Sequence, residues 1–297
     1  MAIPKRPQSS VSLLATTEVA QVAHGLQTPL IALGPVVLTF DKLKWVFVLP
    51  QRPGLMMSAV VEDMKAHGVK RVGYIGFSDA WGDFIVNAID NLGWNEAGIQ
   101  TVDVERYARS DTSVTAQASK LLTANPDAIL IGGSGAGSAL PHTALVVRGY
   151  NKQIYHNHGS VTSEFIKAGG KAVEGAIAPS GPLIVAEELP EDNPVKPVAL
   201  EFIKRYEQAF GDHSRNAFSG YSYDGYLLLN AAVPAAMQNA KPSTPEFRQA
   251  LREALENVHD VVGTNGVYNM TADDHSGLDS RARVLVRVKN GEWQLLK

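Results

Sequence analysis

Lys70–Asp83 reads KRVGYIGFSDAWGD. Its reading decides the fold. The apolar run Val72–Phe77 breaks into the polar turn Ser78-Asp79-Ala80-Trp81-Gly82, and an amphipathic segment, Phe84–Leu92, follows at once. A buried parallel strand feeding a helix through a short loop has this pattern. In an open α/β sheet the carboxyl end of such a strand is where ligands sit. The loop places a large aromatic, Trp81, and a hydroxyl, Ser78, at that edge. It carries no acid–base pair, no nucleophile with a base and no phosphate-cradling glycine run, so it is suited to holding a small molecule.

Outward from this loop the same unit recurs. The spacing predicts helices over Val11–His24, Gly54–His67, Thr112–Thr123 and about 137–148, with strands at Pro29–Leu33, Val72–Ile75, Ala128–Ile131 and Gln153–His156. Alternating units of this size imply a parallel sheet covered by helices, an α/β fold whose middle domain runs from about 50 to 180. After Gly181 the prolines 182, 190, 194 and 197 mark a crossing segment. Helices are expected over Val195–Phe210, Ala217–Gln238 and Pro245–Asn257, with no strands among them. Strand patterns return at Val267–Met270 and Arg283–Val288. A hairpin turn at Lys289-Asn290-Gly291-Glu292 then leads into Trp293–Leu296. Outside the middle domain only the PLIAL segment offers a strand, too little for a sheet.

The 297 residues are enough for two ordinary domains. Apolar content of 45% and charged content of 19% are those of a globular chain. A net charge of −3 gives no nucleic-acid footprint and no polybasic membrane patch. The absence of cysteine removes disulfides, thiolate zinc ligands and thiol catalysis. No apolar run of about 18 residues occurs, and MAIPKRPQSS is followed by no continuous apolar stretch of the kind a signal peptide needs.

Five stretches in order carry a likeness: KWVFVLPQ (44–51), GVKRVGYIGFSDAWGD (68–83), GGKAVEGAIAPSGP (169–182), FSGYSYDGYLLLNA (218–231) and the closing VYNMTADDHSGLDSRARVLVRVKNGEWQLL. Together they resemble the solute-binding proteins of branched-chain amino-acid (Leu/Ile/Val) ABC transporters, which have the type I periplasmic binding fold. The resemblance implies two Rossmann-like α/β lobes joined by three crossing segments, with the ligand held between them. Lobe 1 would be 1–48 and 182–262; lobe 2 would be 49–181 and 263–297. Against the family pattern lobe 1 is incomplete, lacking initial β-α units and the export signal, which agrees with the shortage of strands. Such a lobe is expected to expose the apolar faces of Val195–Phe210 and Ala217–Gln238.

The resemblance further implies a periplasmic, monomeric protein that is not an enzyme, uses no cofactor and hands a small-molecule ligand to an ABC permease in the inner membrane. Trp81 maps onto an aromatic of the family's binding loop; packing beneath the loop is its alternative role. Ser134, in Gly132-Gly133-Ser134-Gly135-Ala136-Gly137, follows a strand where small residues allow close approach to the backbone. The run is neither G-x-S-x-G, since residue 136 is alanine, nor G-x-G-x-x-G, since residue 138 is serine. His158 stands where amino-acid binders carry the carboxylate that pairs with the ligand ammonium. Tyr221 and Asp224 lie at a helix start; the first offers apolar area with a hydroxyl, the second a cation contact or a cap. Gln51 and Arg52 sit at the first crossing.

Gly34, in Leu33-Gly34-Pro35-Val36, stands where amino-acid binders offer a hydroxyl to the ligand carboxylate. Ser9, Ser10 and Ser12 are substitutes from the preceding helix. Two histidines at 156 and 158 without a third ligand, and Asp273-Asp274-His275, do not have metal-site spacing. The expected ligand is therefore a small carboxylate, an aromatic acid or an amino-acid-like or amide-like solute other than an ordinary branched-chain amino acid. A sensory module of the same fold and an α/β hydrolase are the rival classes. The first needs an output domain, the second a Ser-His-acid set.

Overall fold

The computed structural model describes residues 13–91 and 98–297. Contacts divide the chain into two units. The first comprises 1–50, 224–261 and 268–277; the second comprises 51–223, 262–267 and 278–297.

The second unit is built on a seven-stranded sheet. Its strands are β3 (Arg71–Phe77), β4 (Gln100–Tyr107), β5 (Ala128–Gly132), β6 (Gln153–His156), β7 (Ile177–Ser180), β10 (Val284–Lys289) and β11 (Glu292–Leu295), in the spatial order β11-β10-β7-β6-β5-β3-β4. Neighbours from β4 to β7 are parallel, while β10 runs antiparallel to both β7 and β11. The hairpin expected at Asn290-Gly291 joins the last two strands, with both residues at positive φ (56° and 76°) as a two-residue turn requires.

Helices α2 (Pro53–Ala66), α3 (Ala80–Asn91), α4 (Thr115–Thr123), α5 (Ala139–Val147) and α6 (Ser163–Gly169) cover this sheet. Alternate residues of each strand feed opposite faces. Val72, Tyr74, Ala128, Leu130 and Tyr155 pack with Met57, Val60 and Met64 of α2 and with Ile85 and Ile89 of α3. Ile75, Phe77, Ile129, Ile131 and Ile154 pack with Ala118 and Leu121 of α4 and with Leu145 of α5. The chain moves outward from β3 to β4, then turns back across β3 to β5 and β6. Right-handed crossovers demand that such a reversal put α3 on one face and α4 and α5 on the other. The carboxyl ends of β3 and β5, where the path diverges, are therefore the topological switch point.

The strand β4 was missed by the sequence reading because QTVDVERY interleaves charge with valine. It is the sheet edge, with Gln100, Thr101 and Val104 exposed and only Tyr107 fully buried. β7 was missed because Pro179 interrupts its apolar run. Its neighbour β10 nevertheless pairs antiparallel with it across Ile177–Ser180.

The segment Pro182–Glu188, a run of 3₁₀ turns, and α7 (Val195–Phe210) also group with the second unit. Leu183, Ala186 and Leu189 cover Val195, Ala199, Phe202 and Ile203, with Val284 against them. Over Val195–Ile203 the expected exposed apolar face on α7 is thus covered, leaving Phe210 exposed near its C-terminal end. Its stripe is met by the proline-rich segment that precedes it, which the sequence had marked only as a crossing.

The first unit contains α1 (Leu13–Gly25), β1 (Leu30–Ala32), β2 (Val46–Val48) and α9 (Pro245–Glu256). The helix α8 (Ala217–Asn239) belongs to this unit from Asp224 onward. β1 and β2 pair in parallel, Ile31 opposite Phe47. Ala20 of α1 packs on Ala32 and Val46, and Gly225 of α8 approaches Ile31 and Leu49 closely. KWVFVLPQ supplies the second strand that the hydropathy pattern alone left uncounted. The chain passes between the units near the short paired strands β8 (Val261–Val262) and β9 (Val267–Tyr268).

Candidate functional site

Three loops meet at the switch point of the second unit. The first follows β3 and contains Ser78–Gly82. Asp79 Oδ1 accepts the backbone N–H groups of Trp81 (3.0 Å) and Gly82 (3.3 Å), capping the free amides at the start of α3. Tyr74 lies flat over the paired glycines Gly76 and Gly132. A Cβ at either would sit about 2 Å from its hydroxyl (2.2 and 1.9 Å), and that hydroxyl donates to Gly82 O at 3.2 Å. Gly76 of GYIGF and Gly132 of LIGG are thus demanded by one tyrosine. Burial pushes the Tyr74 hydroxyl pKa upward, keeping it a neutral donor.

The second loop, Gly133–Ser138, follows β5. The carbonyl of Gly133 is its hub, accepting Trp81 Nε1–H at 3.1 Å and Asn157 Nδ2–H at 2.7 Å. The third loop, Asn157–Ser160, follows β6. Asn157 Oδ1 accepts the Gly159 amide at 2.7 Å, turning the chain so that Gly159 lies against Trp81 and Ser134. A Cβ on Gly159 would stand 2.8 Å from Trp81 Cζ2 and 3.1 Å from Ser134 Cβ. The His158 ring meets the Trp81 ring edge to face at 5.4 Å.

Arg109, which follows β4, ties the first two loops together. Its Nε donates to Asp79 Oδ2 at 2.5 Å, its Nη1 donates to Ser134 Oγ at 3.3 Å, and its guanidinium stacks over the Phe77 ring at 4.1 Å. Arg106 braces the same turn, donating to Phe77 O at 2.9 Å. Sequence reasoning passed over both Asp79 and Arg109. The signal available was an acid at the N-cap position of α3, opposite a loop arginine.

Trp81, Ser134 and His158 therefore come together, with Ser78 exposed beside them and its backbone N–H bound to Tyr107 O. Ser134 Oγ takes its hydrogen bond from a guanidinium, which cannot accept a proton, so the serine has no general base there. Beneath the loops runs a buried polar chain. His142 Nδ1 lies 2.9 Å from His156 Nε2, and His156 Nδ1 lies 3.2 Å from Ser160 Oγ. Ser160 Oγ donates to Ser138 Oγ (2.9 Å), which donates to Gly135 O (2.7 Å). With the serines donating in this order, His156 Nδ1–H can donate to Ser160 and His156 Nε2 can accept from His142 Nδ1–H. Burial holds the His142 pKa down at about 4 and that of His156 well below its ordinary value. A backbone hydrogen bond with Ala172 works against the effect of burial on His142.

Tyr221 and Gln51 form a second cluster of the same unit. The tyrosine hydroxyl donates to Gln51 Oε1 at 2.6 Å, and Gln51 Nε2 donates to Ala282 O at 2.8 Å; both side chains are buried. Arg52 is the residue before α2. In the first unit, Asp224 is fully buried and accepts from Tyr268 Oη at 2.9 Å, while Gly34 is buried in the turn after β1. Asp274 closes a turn, accepting from the amides of Ser276 and Gly277, and His275 stacks on Phe47. Ser9, Ser10 and Ser12 lie outside the described residues.

Fold and edge together define a doubly wound α/β protein whose second unit brings Trp81, Ser134 and His158 together at its switch point. The chain belongs to the periplasmic binding protein family, whose model matches residues 9–292. An extracellular ligand-binding receptor from Rhodopseudomonas palustris is 44% identical, with a TM-score of 0.89 over 95% of this chain and 78% of that one. A second such receptor, from strain HaA2, is 43% identical with the same TM-score, covering 95% and 79%. A leucine-binding protein, LivK, from Thermotoga maritima shares the fold at 22% identity, with a TM-score of 0.76 over 97% and 78%. No match is found among curated proteins. Among the described residues no helix is long and apolar enough to cross a membrane.

Proposed function

We propose that this chain is the solute-binding component of an ABC uptake transporter. It captures a small carboxylate, an aromatic acid or an amino-acid-like solute and delivers it to an inner-membrane permease. One observation carries the choice of ligand. The wall offers an indole, a hydroxyl and an imidazole, while its acid, Asp79, is taken up by two backbone amides and Arg109. An ordinary amino acid needs a fixed anion for its ammonium, and His158 stands in that place. Trp81 supplies apolar area, and Ser78, Ser134 and His158 supply polar contacts.

Tyr221, Gln51, Asp224 and Gly34 complete the proposed set, drawn from the family pattern. The two lobes are taken as 1–48 with 182–262, and 49–181 with 263–297, although contacts group 182–223 with the second unit. The protein acts in the periplasm as a monomer, without a cofactor and without catalysis. That reading is supported by membership of a family of binding proteins and by a serine that lacks a base.

Calorimetry on the purified protein tests it. Benzoate and its hydroxylated relatives are expected to give saturable heats, and leucine and valine far weaker ones. Tight leucine or valine binding with no heat from aromatic acids would overturn the reading.

A further inference from the structure

The ring of His158 is half-buried, and its two nitrogens are not equivalent. Nδ1 is enclosed by protein and has no hydrogen-bond partner among the described residues. A buried N–H without an acceptor is rarer in proteins than an unmet acceptor, so we assign the single proton of the neutral ring to Nε2. The ring stays neutral because burial holds its pKa down to about 4, with no charged group contributing. The charged groups of the neighbouring loops, Asp79 and Arg109, pair with each other. Trp81 fixes the ring from its edge, and Asn157 fixes the backbone on either side of it. The residue is therefore a held, uncharged donor, and among the described residues no charged group contributes to its shift.

We propose that His158 is the specificity-determining residue of this wall: its Nε2–H donates to an acceptor oxygen of the solute, selecting a carboxylate or carbonyl end and rejecting an ammonium. The inference rests on the solute-receptor reading above and adds to it the atom that discriminates. A neutral donor hydrogen-bonds an oxygen at any pH from about 5.5 to 8, whereas a protonated imidazole would bind anions more tightly as pH falls through its ordinary range. An ammonium meets N–H against N–H and has nothing to accept its protons.

Calorimetry with benzoate and L-phenylalanine on the full chain tests this. The two probes share a ring and a carboxylate and differ in the ammonium-bearing arm. Wild type, His158→Gln and His158→Asp are compared, each with a thermal melt to establish folding. Glutamine can still donate, so His158→Gln is expected to keep benzoate within about threefold, whereas His158→Asp should lose about tenfold or more and shift the ratio toward phenylalanine. Wild-type affinity for benzoate should be level between about pH 5.5 and 8.

Equal losses in two folded variants, or tightening on acidification in wild type alone, would overturn the role of His158. Benzoate binding that His158→Asp leaves untouched overturns this inference and leaves the receptor reading standing. If wild type binds neither probe nor any other aromatic acid, both fall.

Discussion

The two units solve the same burial problem with different resources. The second has a seven-stranded sheet with apolar clusters on both faces, and its switch-point loops hang on strands that are buried almost from end to end. The first has a two-stranded parallel sheet and a small cluster around Ala20, Ala32 and Val46. Its helices leave Val22 60% exposed on α1 and Tyr226 and Met237 60% and 57% exposed on α8. A precise arrangement of polar groups needs a rigid support. In this molecule the Trp81–Ser134–His158 wall has one, because each loop begins at the buried carboxyl end of a strand.

The contrast can be broken most sharply by paired truncations. Phe165 is fully buried in the second unit, meeting His156 at 4.7 Å and stacking on Trp293 at 5.5 Å. Phe165→Ala should cost roughly 3–5 kcal/mol in chemical denaturation. Val22→Ala on α1 should change stability by less than about 0.5 kcal/mol. Comparable costs at the two sites would mean that the first unit's face is covered in solution.

A smaller effect sharpens the same comparison through pH. His142 is buried with its folded pKa lowered to about 4 against an ordinary 6.5, and His156 is shifted in the same direction. The unfolded chain therefore binds more protons than the folded one between these values. Stability is complete above the unfolded pKa and falls as pH drops through the window. A loss of about 2 kcal/mol from His142 is expected between pH 7 and pH 5, with His156 acting in the same direction. It should be read as a lower denaturant midpoint for the second unit and be smaller in His142→Gln. A midpoint unchanged from pH 7 to 5 would mean that the histidine chain is charged or open to water.

Much of the fold was legible because buried parallel strands are short apolar runs, and helices α2, α4, α7 and α9 carry clean stripes. Gln153–His156 and Val195–Phe210 fall where the spacing put them. What stayed hidden depended on tertiary partners. The edge strand β4 is masked by its own charges. β7 contains a proline, and the 3₁₀ turns over Pro182–Glu188 have no periodicity to reveal that they cover α7. At the site, the aromatic, the loop serine and the histidine could be named from strand-end positions. Asp79 and Arg109 could not, because their role exists only when the loops after β3, β4 and β5 are brought side by side. Nor could the sequence separate the exposed Ser78 from the buried pair Gln51 and Tyr221, since burial there is set by residues more than a hundred positions away.

The central claim is that the Trp81 wall of the second unit is where a solute without an ammonium group is held. It is tested most directly by following the Trp81 indole N–H resonance during a benzoate titration, with Trp81→Phe providing the assignment. The account predicts a saturable shift of that resonance, with the Gly159 amide moving in step and no response to leucine. A resonance that stays fixed while benzoate binds, or one that moves with leucine instead, would contradict it.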